Sequence, residues 1–230
     1  MPEKRAPANE YEPPGEGLYK RFFAWLVSRL QEHYGDDIDD RKRRMLAATQ
    51  GRVVEIGAGA GANMRFYPPG VELLLIEPNR HMHSYLRRES ERLGRPVEVR
   101  AGTAERMDVD TDSADFVVCT LVLCSVGSQE ASLREALRVL KPGGRFLFLE
   151  HVAAPDGTRL RRWQRRLRWL WRRIGDGCTL DRETWVAIEA AGFAELDIEH
   201  FDSRAIPLAR PHIAGTATKP EVREVAAAAC

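Results

Sequence analysis

From residue 52 onward, short apolar runs alternate with segments in which apolar residues recur at three- and four-residue steps. The runs are Arg52–Ile56, Val71–Glu77, Val97–Ala101, Phe116–Thr120 and Arg145–His151. Near-continuous apolar runs separated by helix-like segments predict parallel strands covered on both faces. Glycine and proline mark the breaks: Pro68-Pro69-Gly70 before the second run, Gly94 to Pro96 before the third, Lys141-Pro142-Gly143-Gly144 before the fifth. A helix expected from Asp181 to Ala191 and two further strands, Phe193–Phe201 and His212–Thr218, bring the strands to seven. The pattern predicts an α/β fold, a doubly wound, seven-stranded, mostly parallel sheet of Rossmann-like type.

Two amphipathic helices frame this core. Leu18, Phe22, Phe23, Trp25, Leu26 and Leu30 place an aromatic-rich stripe on a helix expected over 18–34. After the fifth strand, a helix expected over 157–174 carries Leu160, Trp163, Leu167, Leu170, Trp171 and Ile174 on one face, with eight arginines between Arg159 and Arg173 on the rest. That combination suits either a lid over a pocket or contact with an anionic membrane surface. Residues 1–17 hold too little apolar surface to offset the entropy of ordering and read as a flexible tail. The resulting organisation is a tail (1–17), N-terminal cap helices (18–50), one catalytic-type α/β domain (51–219) and a second tail (220–230).

Composition narrows the function. The 230 residues, 43% hydrophobic, suffice for one domain with additions. A net charge of +1 gives no reason to expect nucleic acid. Cys119, Cys124, Cys178 and Cys230 show neither metal-site spacing nor the density of a secreted disulfide scaffold, so no metal is expected and a cytoplasmic setting, peripheral at a membrane, is. No stretch approaches the ~20 apolar residues of a membrane span.

The chemistry concentrates in Val53-Val54-Glu55-Ile56-Gly57-Ala58-Gly59-Ala60-Gly61, a strand running into a glycine-rich turn where backbone must approach a ligand closely. Gly57, Gly59 and Ala62 also satisfy the loose dinucleotide fingerprint, so the string alone leaves a nicotinamide cofactor open. Glu55 two positions before the first glycine, and glycines at 57, 59 and 61, favour S-adenosylmethionine. Glu77 ends the next run, where a carboxylate can accept hydrogen bonds from both ribose hydroxyls. Pro78, Asn79 and Met82 follow beside the adenosine. Gly102-Thr103-Ala104-Glu105 offers backbone N–H groups across the adenine. Thr120, Leu121 and Cys124 leave the fourth strand toward the methionine portion. With Ala58 and Asn63, these residues form the expected cofactor set.

These motifs resemble those of the class I S-adenosylmethionine-dependent methyltransferases. Within that class the chain is similar to the methyltransferase-like thiol S-methyltransferases, small enzymes associated with membranes and lipid droplets in animals. The resemblance spans 45–219. It rests on Gly61-Ala62-Asn63 with Phe66-Tyr67-Pro68-Pro69-Gly70, on Cys119 to Val126, Glu150-His151-Val152, Ile174 to Cys178, and Pro211-His212-Ile213. The animal relatives carry a hydrophobic N-terminal anchor where this chain has a polar tail and one amphipathic helix, so location does not carry over.

The resemblance implies methyl transfer from S-adenosylmethionine, leaving S-adenosylhomocysteine, to a small apolar acceptor, a thiol first. Lipid-quinone carbon or phospholipid amine methylation is the alternative within the class, and a non-catalytic cofactor- or membrane-binding module the alternative outside it. A thiol near pKa 8.5 needs only a modest base or a positive environment. His151 and Asp176 are the expected catalytic pair, with His81 a lesser candidate. Cys124 and Cys178 are expected to be packing residues rather than nucleophiles.

Overall fold

The computed structural model describes residues 17–30 and 35–221. The tail expected over 1–17 lies outside them except for Gly17, as do 31–34 of the first expected helix and 222–230 of the second tail. Helices α1 (Leu18–Leu30) and α2 (Asp36–Leu46) precede β1 (Arg52–Ile56) and β2 (Glu72–Ile76). Then come α3 (His83–Leu93), β3 (Glu98–Arg100), β4 (Ala114–Thr120), α4 (Gln129–Val139) and β5 (Leu140–His151). Helices α5 (Arg159–Ile174) and α6 (Thr184–Glu189) lead to β6 (Glu195–Asp202) and β7 (Pro211–Thr218).

The seven strands form one sheet in the order β3-β2-β1-β4-β5-β7-β6. The first five pair in parallel, while β7 runs antiparallel to both β5 and β6. The apolar runs fill both faces. Val54, Ile56, Leu74, Ile76, Val117 and Phe148 pack toward α4 and α6, and the alternate residues Val53, Leu73, Leu75, Val118 and Leu147 pack with Leu46, Met64 and Leu86 on the other side. Two covered faces explain why the strands read as unbroken apolar runs.

Local chemistry fixes the ends. Ser128 and Thr158 cap α4 and α5 by accepting hydrogen bonds from Ala131 N and Arg161 N, each at 3.1 Å. Gly94 ends α3 in the left-handed region, φ 60°. Two expectations shift. Lys141 to Gly144, expected as a break, lies within β5 as a bulge, with Gly143 at φ 71° and a change of register opposite Ala114 and Phe116. The helix expected from Asp181 begins only at Thr184. Residues before it are spent on backbone bonds to the neighbouring loops, Thr179 N to Cys124 O and Ala153 N to Arg182 O, both 2.9 Å, while Asp181 binds Arg168.

Candidate active site

The strand order reverses between β1 and β4, and the carboxyl ends of strands flanking such a point border the ligand crevice of open α/β sheets. Here the loop after β1 climbs through Gly57 (φ 64°), Ala58, Gly59 (φ 58°) and Gly61 (φ 96°). A Cβ on Gly57 would stand 2.5 Å from Val122 Cγ2, whereas nothing lies within 4 Å of a Cβ on Gly59. The loop is therefore pressed against the turn after β4 at one glycine and open at the next, the shape of a cradle that leaves backbone free to approach a ligand.

Two acids hold that cradle, and they differ. Glu77, at the end of β2, accepts Gly59 N on Oε2 and Asn79 N on Oε1, each at 2.8 Å, which leaves lone pairs for further donors. Burial pushes its pKa up to about 7, and its two N–H donors only partly offset this. Glu55, at 2% exposure, points into the protein. Its oxygens accept Asn63 Nδ2 and Tyr67 OH at 2.8 Å, and burial raises it to about 7 as well. Glu55 thus braces the loop from beneath. Asn63 also donates to Thr120 Oγ1 at 2.8 Å, tying the loop to the end of β4, while its Oδ1 is buried without a partner.

After β2, Met82 is buried against Ala60 and Ala24, so α1 packs on the loop itself. Asn79 Nδ2 donates to Lys20 O at 3.1 Å and its N–H meets Glu77; Pro78 between them is exposed. Gly102, Thr103 and Ala104 follow β3, where Arg106 N closes a turn on Thr103 O at 3.2 Å. Glu105 turns away from the crevice and accepts Gly127 N at 2.7 Å, holding the loop after β4.

A second group of side chains gathers at the ends of β4 and β5. Leu121 takes the left-handed region, φ 60°, and its N–H bonds Leu149 O at 2.8 Å. Glu150, fully buried, accepts Val122 N at 2.8 Å and Leu123 N at 3.1 Å and thereby shapes the Thr120 to Cys124 turn. Beside it, His151 Nε2 lies 3.0 Å from Cys178 Sγ, and Cys178 Sγ lies 3.6 Å from Cys124 Sγ. The hydrogen bond between the Cys124 and Cys178 sulfurs, with the bond to His151 adding to it, lowers the Cys178 thiol well below its ordinary range against the opposing effect of burial. Burial opposes a charge on His151, but the bond and charge of Cys178 outweigh it and the imidazole is raised. His151 Nδ1 is buried and unpaired.

Asp176 does not meet a histidine. Its carboxylate is taken by Lys20 Nζ at 2.6 and 2.7 Å, which fastens α1 to the loop after α5. The partner of His151 is instead Cys178, expected to be inert packing. His81 has a buried Nε2 without a partner and follows β2, where its backbone N–H donates to Asn79 Oδ1 at 3.1 Å.

A model of the methyltransferase domain matches residues 54–148. The chain is 40% identical to the thiol S-methyltransferase TMT1A of Homo sapiens over 214 residues, 88% of each chain. The chain belongs to the thiol S-methyltransferase family. It is 38% identical to TMT1B of Rattus norvegicus over 215 residues, again 88% of each chain. A solved S-adenosylmethionine-dependent methyltransferase of Thermotoga maritima, described as a possible histamine N-methyltransferase, shares the fold at TM-score 0.66 and 20% identity, covering 89% of this chain and 100% of its own.

This enzyme is therefore a class I methyltransferase that uses S-adenosylmethionine, and the residues present fit that cofactor. The open space at Gly59, the spare lone pairs of Glu77 and the unpaired Asn63 Oδ1 face the same crevice end of the sheet. Sequence reasoning gave Glu150 and Tyr67 no role of their own and read Cys178 as packing. An acid closing the apolar run Phe146–Leu149 was a signal for Glu150. For Cys178, 27 residues from His151, spacing offered none.

Proposed function

We propose that the methyltransferase acts on a small apolar thiol, and that the acceptor's sulfur is ionised at the His151–Cys178 pair. The observation that carries this reading is the buried imidazole 3.0 Å from a cysteine sulfur, at the end of β5 beside the turn that leaves β4. The acceptors named for TMT1A and TMT1B point the same way. A thiol at pKa ~8.5 already holds a few per cent thiolate near neutral pH, so a positive neighbour such as the His151 imidazole suffices and the proton passes to solvent, whereas an amine near 10.4 or a carbon acid demands a true base.

S-adenosylmethionine, when bound, supplies an electrophilic methyl group. Gly57, Ala58, Gly59 and Gly61 would seat its methionine end, with Asn63, Thr120, Leu121 and Cys124 beside it. Glu77 would hold the ribose, and Asn79, Met82 and the Gly102 to Glu105 turn would border the adenine. In-line displacement needs the sulfur held about 3 Å from the methyl carbon in a dry site. Helix α1, locked by Lys20 to Asp176 and by Asn79 to Lys20 O, supplies the cover that excludes water.

The reading is tested by calorimetric titration with S-adenosylmethionine and S-adenosylhomocysteine, followed by labelled methyl transfer to alkyl thiols, phenols and amines. Turnover confined to thiols supports it; turnover of amines or phenols with silent thiols overturns it.

The reading extends to a lipid surface and a peripheral location. Leu18, Phe22, Trp25, Trp169, Leu170 and Ile174 are exposed large apolar side chains on α1 and α5. The two helices meet where Tyr19 OH donates to Ile174 O at 3.1 Å, and arginines of α5 flank the patch. Co-sedimentation with anionic vesicles at low salt is the expected outcome. A protein that stays in the supernatant is not peripheral.

A further inference from the structure

Cys124, His151 and Cys178 reach one point from three separate places: the turn after β4, the last residue of β5, and the loop after α5. Their Sγ, Nε2 and Sγ atoms all lie within 4.8 Å of one another. In a tetrahedral site with zinc–sulfur bonds of about 2.3 Å and zinc–nitrogen bonds of about 2.0–2.1 Å, neighbouring ligand atoms stand about 3.5–3.8 Å apart. The sulfurs, at 3.6 Å, already span such an edge, and the His151 nitrogen, at 3.0 Å, needs only a small side-chain retreat.

We propose that Cys124, His151 and Cys178 bind a divalent cation of zinc type, with a fourth position that takes the sulfur of the acceptor. Two thiolates and an imidazole are the ligands that select zinc over magnesium or calcium. Three protein ligands and one open position are the pattern of a catalytic rather than a closed structural site.

The surroundings suit the charge. Two thiolates neutralise the cation, and a third sulfur leaves one negative charge beside Arg182, whose guanidinium is held on Leu123 O and Val126 O at 2.7 Å. With Nε2 on the cation, His151 carries its hydrogen on the unpaired Nδ1. Directly across the β5/β7 register stands His212, which donates its Nδ1 hydrogen to Arg210 O at 3.0 Å and so leaves Nε2, also unpaired, as an acceptor. The two rings are edge to face with centroids 6.2 Å apart. Metal-bound histidines characteristically find such an acceptor for the second nitrogen.

Binding releases the thiol protons still present on Cys124 and Cys178. The acceptor thiol, on coordination, loses its proton to solvent. Its sulfur then forms a bond to the methyl carbon while the donor's carbon–sulfur bond breaks. The product thioether is uncharged, a weak ligand, and leaves. The identity of the fourth ligand rests on the thiol reading; the three-residue site does not.

The experiment is titration of the full chain, reduced and dialysed against a chelator, with cobalt(II) chloride followed by optical spectroscopy. We expect a thiolate-to-cobalt charge-transfer band and the intense visible bands of tetrahedral cobalt, saturating at one equivalent and displaced by zinc chloride. Cys124→Ser and Cys178→Ser should each weaken cobalt binding by at least about 10-fold while circular dichroism and thermal denaturation, measured in parallel, report an intact fold. No charge-transfer band, or one that persists unchanged in both variants, overturns the site, as does loss of two titratable thiols through a Cys124–Cys178 disulfide in the dialysed protein. Addition of an alkyl thiol should shift the visible bands; an unshifted spectrum under full thiol turnover removes the acceptor from the fourth position. Cobalt binding in a protein that methylates amines but no thiol keeps the cation site and sinks the thiol reading.

Discussion

The cofactor end of the site is made of backbone and of neighbours in sequence, whereas the acceptor end is made of side chains that meet across long separations. Gly59 and Glu77 are 18 residues apart and joined through a backbone N–H. Cys124 and Cys178 are 54 apart and joined only through their sulfurs. A cradle of backbone donors is shaped by the turn itself and tolerates change elsewhere. A cluster of side chains depends on loops from three elements arriving together. The two ends should therefore separate under mutation, one governing cofactor affinity and the other turnover.

The largest effect is expected at the acceptor end. His151→Ala should lower kcat by about 10²–10⁴-fold with S-adenosylmethionine affinity unchanged by calorimetry. An equal loss in cofactor affinity would break the separation. At the other end, Glu77→Ala removes a charged acceptor worth about 1.5–3 kcal/mol per bond and should weaken cofactor binding about 10–100-fold, with kcat at saturating cofactor largely kept.

Acidity sharpens the contrast next. Glu77 keeps its proton up to about 7 against an ordinary value of 4.5. Hydroxyl donors favour its ionised form, so cofactor affinity should fall by up to about tenfold per unit as pH drops below about 7 and level off above it. The sign for stability is the reverse. Between 4.5 and about 7 the unfolded chain has already lost this proton and the folded one has not, so stability of the cofactor-free protein declines as pH rises through that window. Denaturant titrations with and without S-adenosylhomocysteine check both signs. A cofactor affinity that is flat from pH 5 to 8 would remove Glu77 from the ribose.

The smallest effect on function belongs to Asp176. Asp176→Asn removes the charge opposite Lys20 in a pair whose side chains are 17% and 12% exposed, and should cost about 1.5–3 kcal/mol in thermal denaturation. Its kcat should stay within a few-fold of the parent. A loss as large as that of His151→Ala would give Asp176 a direct part in the chemistry.

The same contrast decides what was legible in the sequence. Strand positions came from apolar runs because both sheet faces are covered, and the glycine loop and Glu77 came from local spacing. Glu55 was recognised as part of the motif, but its direction was not, since only the fold shows Asn63 and Tyr67 closing over it. The pairing of His151 with Cys178 rather than with Asp176 was invisible, because no periodicity links the end of β5 to the loop after α5. The late start of α6 was equally hidden: backbone bonds to distant loops compete with helix formation, and local propensity does not register them.

The clasp between Lys20 and Asp176 also sets an order of events during synthesis. Its halves are 156 residues apart, so α1 leaves the ribosome long before the loop that receives it exists. At the tens of residues per second or fewer of translation, that interval lasts roughly ten seconds or more. During it α1 can rest on Ala60, Met82 and Asn79 but lacks the carboxylate that fastens it. The fold's first helix is thus fastened at its second point only near the end of synthesis, and shortening the chain ahead of residue 30 should spare the sheet yet leave Ala60 and Met82 uncovered.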